Sequence, residues 1–492
     1  MRALYLMRMV LTLSVITAVG GPACGDDTGG DSDATSQLDG TTGGDAGGQS
    51  DAGTTPDAGL QNDATVPPGA CGDIVTFADG LTPTAELHVA TTGSDTGGDG
   101  SPSNPFATFD HAASLATPGT AVVVHAGTYA GGAYIADLAG SAGAPIWIGG
   151  VAGEARPVIS GGGQAMQLVR ARYVVVHDLE ITGQSDNGIN CDDGGDYANE
   201  LATHDVIFQN LFIHDVGSGG NQDCLKLSGL NDYFVLDSEF TVCGGGGSGS
   251  GVDHVGCHRG LIARNHFHDL GGNAVQNKGG AEDIEIRWNR IVNAGERGLN
   301  MGGSTGFDFF RPPVPDMAQP FEARDIRAIA NVFEGAVTPL GFVGCVECLA
   351  ANNTIVNPTN WLLRILQETT TLSGYDFLPA SDCTFINNLV YFDRSDLSTY
   401  VNVGGGTAPD TFSFTTNLWY AHDDPSASEP TNLPVTETGG IYGQDPAFGA
   451  GWQINSASPA AGAGTAVTGV VGDMNGNCYA SPPSIGAYEV PE

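Results

Sequence analysis

Lysine is almost missing from this chain. Of its 17 basic residues only Lys226 and Lys278 are lysines, and the other 15 are arginines, in a total of 492 residues. Acidic residues outnumber basic ones 56 to 17, which gives a formal net charge of −39. That balance argues against a nucleic-acid partner, because phosphate binding needs clustered Lys and Arg. It argues equally against attraction to an anionic membrane surface. Long-range repulsion also opposes any anionic ligand, so a site for one has to be local. Beyond the first 23 residues no apolar run reaches the ~20 residues of a membrane-spanning helix. Zinc-type double Cys pairs are missing too. Cys345-x-x-Cys348 stands alone, and buried thiols or disulfides are the expectation for the nine cysteines after Cys24.

The first part of the chain is expected to direct export. Residues 1–23 carry Arg2 and Arg8, then the apolar run Met9 to Val19, then small residues before Cys24, and are expected to be a secretory signal. Cys24, followed by Gly25, Asp26 and Asp27, suits a lipidated bacterial anchor, although Gly21 stands where a Leu is usual. Plain secretion is the alternative. The expected location is therefore extracellular or at the outer-membrane surface, with Cys24 as lipid anchor. Residues 24–70 form a Gly/Asp-rich linker; from Gly25 to Gly69 it has nine Asp and no basic residue. Such a segment cannot bury enough apolar area to offset its ordering entropy. Residues 71–492 are then a single domain, expected to act as a monomer.

That domain repeats. An apolar strand followed by Asn recurs as VIFQNLFIHDVG, GLIARNHFHDLG, IEIRWNRIVNAG, IRAIANVFEGA, CLAANNTIVNP, CTFINNLVYF and FSFTTNLWY. A second element follows after a Gly-rich turn, as GINCDD, CLKLSG, GVDHVG, AVQNKG, GLNMGG, PLGFVG and YVNVGG. The shortest spacings are 23 to 27 residues. β-branched strands with Gly and Asn at corners, and no helical period, predict a parallel β-solenoid in which stacking completes each coil's core.

Alternation along the second element sorts its side chains. Inward positions read Ile189/Cys191, Leu225/Leu227, Val252/His254, Val275/Asn277, Leu299/Met301, Leu340/Phe342 and Val401/Val403. Outward positions include Asn190, Lys226, Asp253, Gln276, Asn300, Gly341 and Asn402, with Lys278 two residues beyond Gln276. Rungs roughly 4.8 Å apart thus place both lysines on one outer face. Ten of the 17 basic residues lie between Lys226 and Arg327. His254 and Asn277 read as core hydrogen-bonding groups. His214-Asp215 and His268-Asp269 read as corner chemistry. Cys348 and Cys383 are equivalent in adjacent coils and are expected to pair if their side chains converge. Asp192 and Asp193 are a candidate carboxylate pair for glycoside hydrolysis.

Together these segments resemble the pectate-lyase superfamily. HVATTGSDTGGDGSPSNPFATFDHAASLATPGTAVVVHAGTY is similar to the usual entry of these proteins, and SPAAGAGT to PPSIGAYE to their exit, over about residues 85 to 490. The resemblance implies an all-β, single-stranded, right-handed parallel β-helix with a short N-terminal capping helix at Phe106–Ala116. QSDNGINC, DCLKLSG and GVDHVG, in that order, resemble polysaccharide lyase family 9. That likeness implies Lys226 as catalytic base and Asp186, Asn187 and Asn190 as calcium ligands. Two of the three are amides where the family has acids, and Asp192, Asp193 and Asp196 lie nearby to compensate. AVQNKG resembles the catalytic strand of polysaccharide lyase family 6, where Lys is the base and an Arg sits on the next rung. Here that position is Gly302, with Arg297 at the turn before it.

A lyase acting on uronic acids removes the C5 proton with a base and neutralises the carboxylate. The implied activity is β-elimination on an acidic polysaccharide, with Lys226 as base and Lys278, Gln276, Asn300, Arg297 and Asp253 contacting substrate. Asp253 opposes a base role for Lys226 by favouring its ammonium, so a structural Lys226–Asp253 ion pair is the competing expectation. The other class is a non-catalytic glycan-binding or adhesive β-helix using the same face. The D-P-H-D motif of uronate epimerases and the catalytic set of the β-helical polygalacturonases are absent. Insertions at Ser304–Ala323 and Glu368–Ser381 are expected on the binding side, their aromatics either stacking on sugars or shielding the barrel.

Overall fold

Backbone N–H and C=O groups of a parallel coil find partners in the coils on either side, and the fold is the repetition of that one solution. The structure, a computed structural model, describes residues 71–245 and 248–490. The expected signal, Cys24 and the linker over residues 1–70 lie outside the described residues. The chain winds through three parallel sheets of 13, 10 and 12 strands, and successive rungs of each sheet follow chain order. It is a right-handed parallel β-helix, as expected. A two-stranded antiparallel hairpin, Thr371–Leu372 with Tyr375–Asp376, stands outside it within the second insertion.

The capping helix is shorter than expected, Phe109–Leu115, because Thr108 caps it by accepting from the N–H of His111 at 3.3 Å. Phe106 instead bridges to Val89 in extended conformation and is buried. Inside the coil, side chains at equal register stack. Ile181, Ile213, Phe240, Phe267 and Ile291 follow one another rung by rung, with the two phenylalanine rings 4.9 Å apart.

From the second repeat on, the recurring Asn turns inward and builds a second ladder, whereas Asn210 of the first repeat is itself the left-handed corner residue, φ 52°. Asn265, Asn289, Asn331, Asn353, Asn388 and Asn417 are all buried. Each of the first five donates its amide to the next one's oxygen at 2.9–3.1 Å, and the run ends on Glu437. The residue before each Asn adopts the left-handed conformation that makes the corner, with φ between 50° and 59° even at Trp288, Ala330 and Thr416.

Among the described residues three disulfides are present, Cys71–Cys478, Cys224–Cys243 and Cys345–Cys348. Cys348 does lie level with Cys383 in adjacent coils, but it pairs with Cys345. Cys383 remains a buried thiol. The first disulfide ties the beginning of the described chain to its C-terminal segment.

His254 and Asn277 point inward with no exposure. His254 Nδ1 lies 2.9 Å from the carbonyl of Gln276, and burial pushes its imidazole down to about 4.

Two stability measurements follow from these interiors. Asn331→Ala leaves buried groups on both neighbouring rungs without partners, so chemical denaturation should show a loss of about 3 kcal/mol; a loss within ~0.5 kcal/mol, typical of a surface change, contradicts the ladder's role. For His254 the folded pKa lies below the unfolded one, so the unfolded state binds the extra proton between about pH 6.5 and 4. Its stability contribution is therefore complete above that window and is lost as pH falls through it. Between pH 7 and 5 the native protein should lose about 2 kcal/mol more than His254→Asn; identical slopes contradict this.

Candidate active site

The 10-stranded sheet carries one outward residue per coil into a single column. Gln167, Asn190, Lys226, Asp253, Gln276, Asn300, Gly341, Arg364 and Asn402 pair in register, one rung after another. The expected column is present, extended by Gln167 before Asn190 and with one coil added within it. Leu363–Leu366 places Arg364 between Gly341 and Asn402. That rung lacks the usual Gly turn in sequence. Gln367 replaces it by bonding the carbonyls of Thr369 and Leu378 and the N–H of Ala380.

Lys226 lies at the centre. Its Nζ donates to Asp253 Oδ2 on the next rung and is 3.5 Å from Asp223 Oδ2, three residues earlier at the turn into its own strand. The ion pair set against catalysis in the sequence is therefore formed. Lys226 keeps 7% of its surface, against 1% for Asp253 and none for Asp223, so the lysine is the most exposed residue of the three. The two carboxylates diverge. Burial opposes ionisation of Asp253, but the ammoniums of Lys226 and Lys278 overcome it and hold its pKa low. For Asp223 burial prevails over Lys226 and the nearby Asp253 charge adds to it, pushing the group up to about 7. Asp223 Oδ1 accepts from the N–H of Ser250 at 2.6 Å, while its Oδ2 has no hydrogen-bond partner. Asp253 Oδ1, Asn190 Oδ1 and Asn300 Oδ1 are likewise buried without one. Buried polar atoms are normally satisfied, and this column concentrates exceptions.

Lys278 joins the same group, its Nζ 3.9 Å from Asp253 Oδ2. A register shift after Gln276 sets Gly302 opposite Asn277 rather than Lys278. Lys278 runs instead beside Gly303, where an added Cβ would lie 3.5 Å from the lysine stem and 2.8 Å from Gln276 Nε2. Gln276 is half-buried and accepts from Asn273 at 3.1 Å. Asn300 is fully buried and donates to the Gly302 carbonyl at 3.3 Å. Arg297 does fold along the column. A Cβ on Gly341 would lie 3.4 Å from Arg297 Cδ and 3.1 Å from Asn300 Oδ1, so the missing side chain makes their room. Its guanidinium meets Glu368 of the second insertion at 3.2 Å.

Asp186, Asn187 and Asn190 do not form a cage. Asp186 Oδ2 accepts from Gln164 at 3.1 Å, on the preceding coil, whereas Asn187 Oδ1 accepts from the N–H of Asp223 at 2.8 Å, toward the following one. Asn190 bonds Gln167 and Asp192 through its amide nitrogen. Nearby acids are committed elsewhere. Asp192 Oδ1 accepts from Gly194, Asp196 Oδ2 from Asn199, and Asp193 takes the guanidinium of Arg311 through both oxygens at 2.6 and 3.2 Å. Calcium needs six to eight oxygens, and this donor set does not fit it. The same Arg311 contact uses up Asp193 and removes the Asp192/Asp193 pair as hydrolytic carboxylates.

The insertions pack on one another and on the coil corners, with Phe307 and Phe309 half-buried and Tyr375 exposed. Phe310 is fully buried against Phe377 of the second insertion, 5.2 Å between centroids. Arg311 also stacks over Tyr197 at 4.3 Å. It lies across the Gly229 and Gly256 corners, where any Cβ would come within 2.7 Å of it, and its backbone crowds Gly280 in the same way. Those glycines, visible in the repeat as turn residues, are also the floor on which the insertion rests. Glu322 anchors its end, fully buried and accepting from Gly279, Thr305 and Thr369. Asp223, Glu322, Arg311 and Arg364 are the functional candidates that sequence reading passed over. Of these only Asp223, three residues before a scarce lysine, carried a local signal.

No family model and no curated protein matches the sequence. Among solved structures, pectate lyase Pel9A superimposes with a TM-score of 0.51 at 15% identity, covering 86% of this chain and all (100%) of its own. An alginate lyase from Paenibacillus sp. str. FPU-7 gives 0.43 at 15% identity, covering 66% of this chain and 99% of its own. A rhamnogalacturonan lyase gives 0.40 at 13%, covering 71% and 89%. The likeness to Pel9A concerns architecture: this chain has the right-handed parallel β-helix fold of that pectate lyase.

Proposed function

We propose that this protein is a polysaccharide lyase that cleaves a uronic-acid polymer by β-elimination, exported and held at the cell surface through Cys24 or secreted. The observation that carries the reading is Lys226 set between two carboxylates of opposite behaviour, Asp253 ionised and Asp223 near neutrality. Pairs of titratable groups pushed apart in this way mark acid–base assignments.

Lys226 is an ammonium beside Asp253 and serves as a base only after losing a proton. Asp223 is the acceptor, 3.5 Å away and ionised above about pH 7. With its proton on Asp223, the Lys226 amine removes the C5 proton of the uronate. The released electron pair forms the C4–C5 double bond as the C4–oxygen bond breaks, and the departing oxygen takes a proton from water. Negative charge building on the substrate carboxylate is met by Lys278 and Arg297, with Gln276 as hydrogen-bond donor. An arriving carboxylate competes with Glu368 for Arg297. No step passes through calcium.

A second reading rests on the same ion pair. Lys226 and Asp253 neutralise one another in a buried setting, which suits a non-catalytic glycan-binding surface.

The distinguishing assay follows unsaturated product by ultraviolet absorbance over a panel of polyuronates. Turnover should rise as pH passes through about 7, since Asp223 accepts a proton only when ionised, and a chelator should leave it unchanged. Lys226→Ala and Asp223→Asn should each lower kcat by roughly 10²–10⁴-fold with little change in KM. Lys278→Ala should raise KM about tenfold or more. Product formation indifferent to Lys226→Ala overturns the reading, and no product from any polyuronate favours the binder.

A further inference from the structure

On the 12-stranded sheet, away from the lysine column, two histidines and a glutamate converge. His266 and His268 alternate along one strand and so share its outer face, their rings stacked 4.5 Å apart. Glu239 is the register partner of His266 on the preceding rung. One ligand atom from each of the three lies within 4.8 Å of the others. The site opens to solvent, with the Glu239 side chain 47% and the His268 side chain 22% exposed.

Orientation is the second observation. Asp269 adopts the left-handed corner conformation, φ 51°, and its carboxylate sits 3.0 Å from His268 Nδ1. Thr241 Oγ1 lies 3.2 Å from the same nitrogen. This fixes the ring so that Nε2 faces Glu239 Oε1 at 3.0 Å. A carboxylate holding one imidazole nitrogen while the other faces outward is the usual support of a metal-bound histidine. Arg290, the register partner of His266 on the other side, is turned to Glu334 at 3.0 Å.

The chain contains its own control. Two rungs earlier, Glu180, His214 and Asp215 repeat the corner, with His214 between Asp215 at 2.7 Å and Glu180 at 3.4 Å. There Phe212 stands where His266 does, its ring stacked 4.2 Å from His214. Corner chemistry alone explains that corner; it does not require a histidine at 266.

We propose that Glu239, His266 and His268 bind a divalent transition cation of the zinc class, with Asp269 as the positioning residue and a fourth coordination position open to solvent. Imidazole and carboxylate suit such ions. In a tetrahedral zinc site ligand atoms lie roughly 3.4 Å apart, so small side-chain adjustments close the set. The cation would bridge two rungs of the helix.

The test is calorimetric titration of untagged, metal-stripped full-length protein with zinc. One equivalent should bind. His266→Phe, which copies the residue of the sister corner and so keeps a packing the fold already uses, should weaken binding at least tenfold. His268→Ala should do the same. Asp269→Asn should weaken it about 10–100-fold and His214→Ala should leave it unchanged. The absence of zinc binding to the native protein overturns the proposal, as does binding that survives His266→Phe and His268→Ala together. Zinc affinity that falls equally in His214→Ala also overturns it, since the sister corner would then share the ion.

Discussion

Every coil of this protein depends on its neighbours in register, because a parallel rung satisfies its backbone only through the rungs above and below. One register choice therefore propagates along the chain. It stacks asparagine on asparagine inside the corners, aliphatic on aromatic inside the sheets, and one outward residue per coil on the face that holds the lysines. The buried amide run from Asn265 to Glu437 repeats the backbone's logic with side chains. A slip of one residue would expose the core and scatter the column.

The same constraint gathers the two lysines of a strongly acidic protein into one place. Lys226 and Lys278 are 52 positions apart in the sequence, 278 minus 226, yet both contact Asp253. Register concentrates the scarce positive charge, and burial makes it effective, since interactions weaken in water. Burial also separates the carboxylates. Asp253, with two ammoniums close by, stays ionised, while Asp223, fully buried and facing the Asp253 charge, does not keep an ordinary acidity.

Much of this was legible in the residues. Alternation of apolar and polar positions assigned the outward column from Asn190 to Gly341 and the inward positions of His254 and Asn277, because period-2 patterning reports which side of a strand is buried. Coil spacing placed Lys226 and Asp253 on neighbouring rungs and left their ion pair as the competing expectation, which the structure forms. What was not legible depends on long-range packing or on a missing turn signal. The Arg364 rung was hidden because Gln367 replaces the corner glycine by side-chain hydrogen bonds. The insertion's path was hidden because Arg311 reaches Asp193 across 118 positions. The expected calcium ligands followed the order of a resembling motif, but Asp186 and Asn187 engage opposite coils, a direction no spacing reveals.

In the proposed reaction Asp223 takes up the proton Lys226 must lose, and its ionisation is directly observable. Carbon-13 NMR of the aspartate carboxyls, assigned by the resonance missing in Asp223→Asn, gives its titration midpoint. That midpoint should lie near 7. A midpoint close to the ordinary 3.9 of an aspartate would contradict the proposed reaction, since Asp223 would then be too weak a base to draw a proton from Lys226.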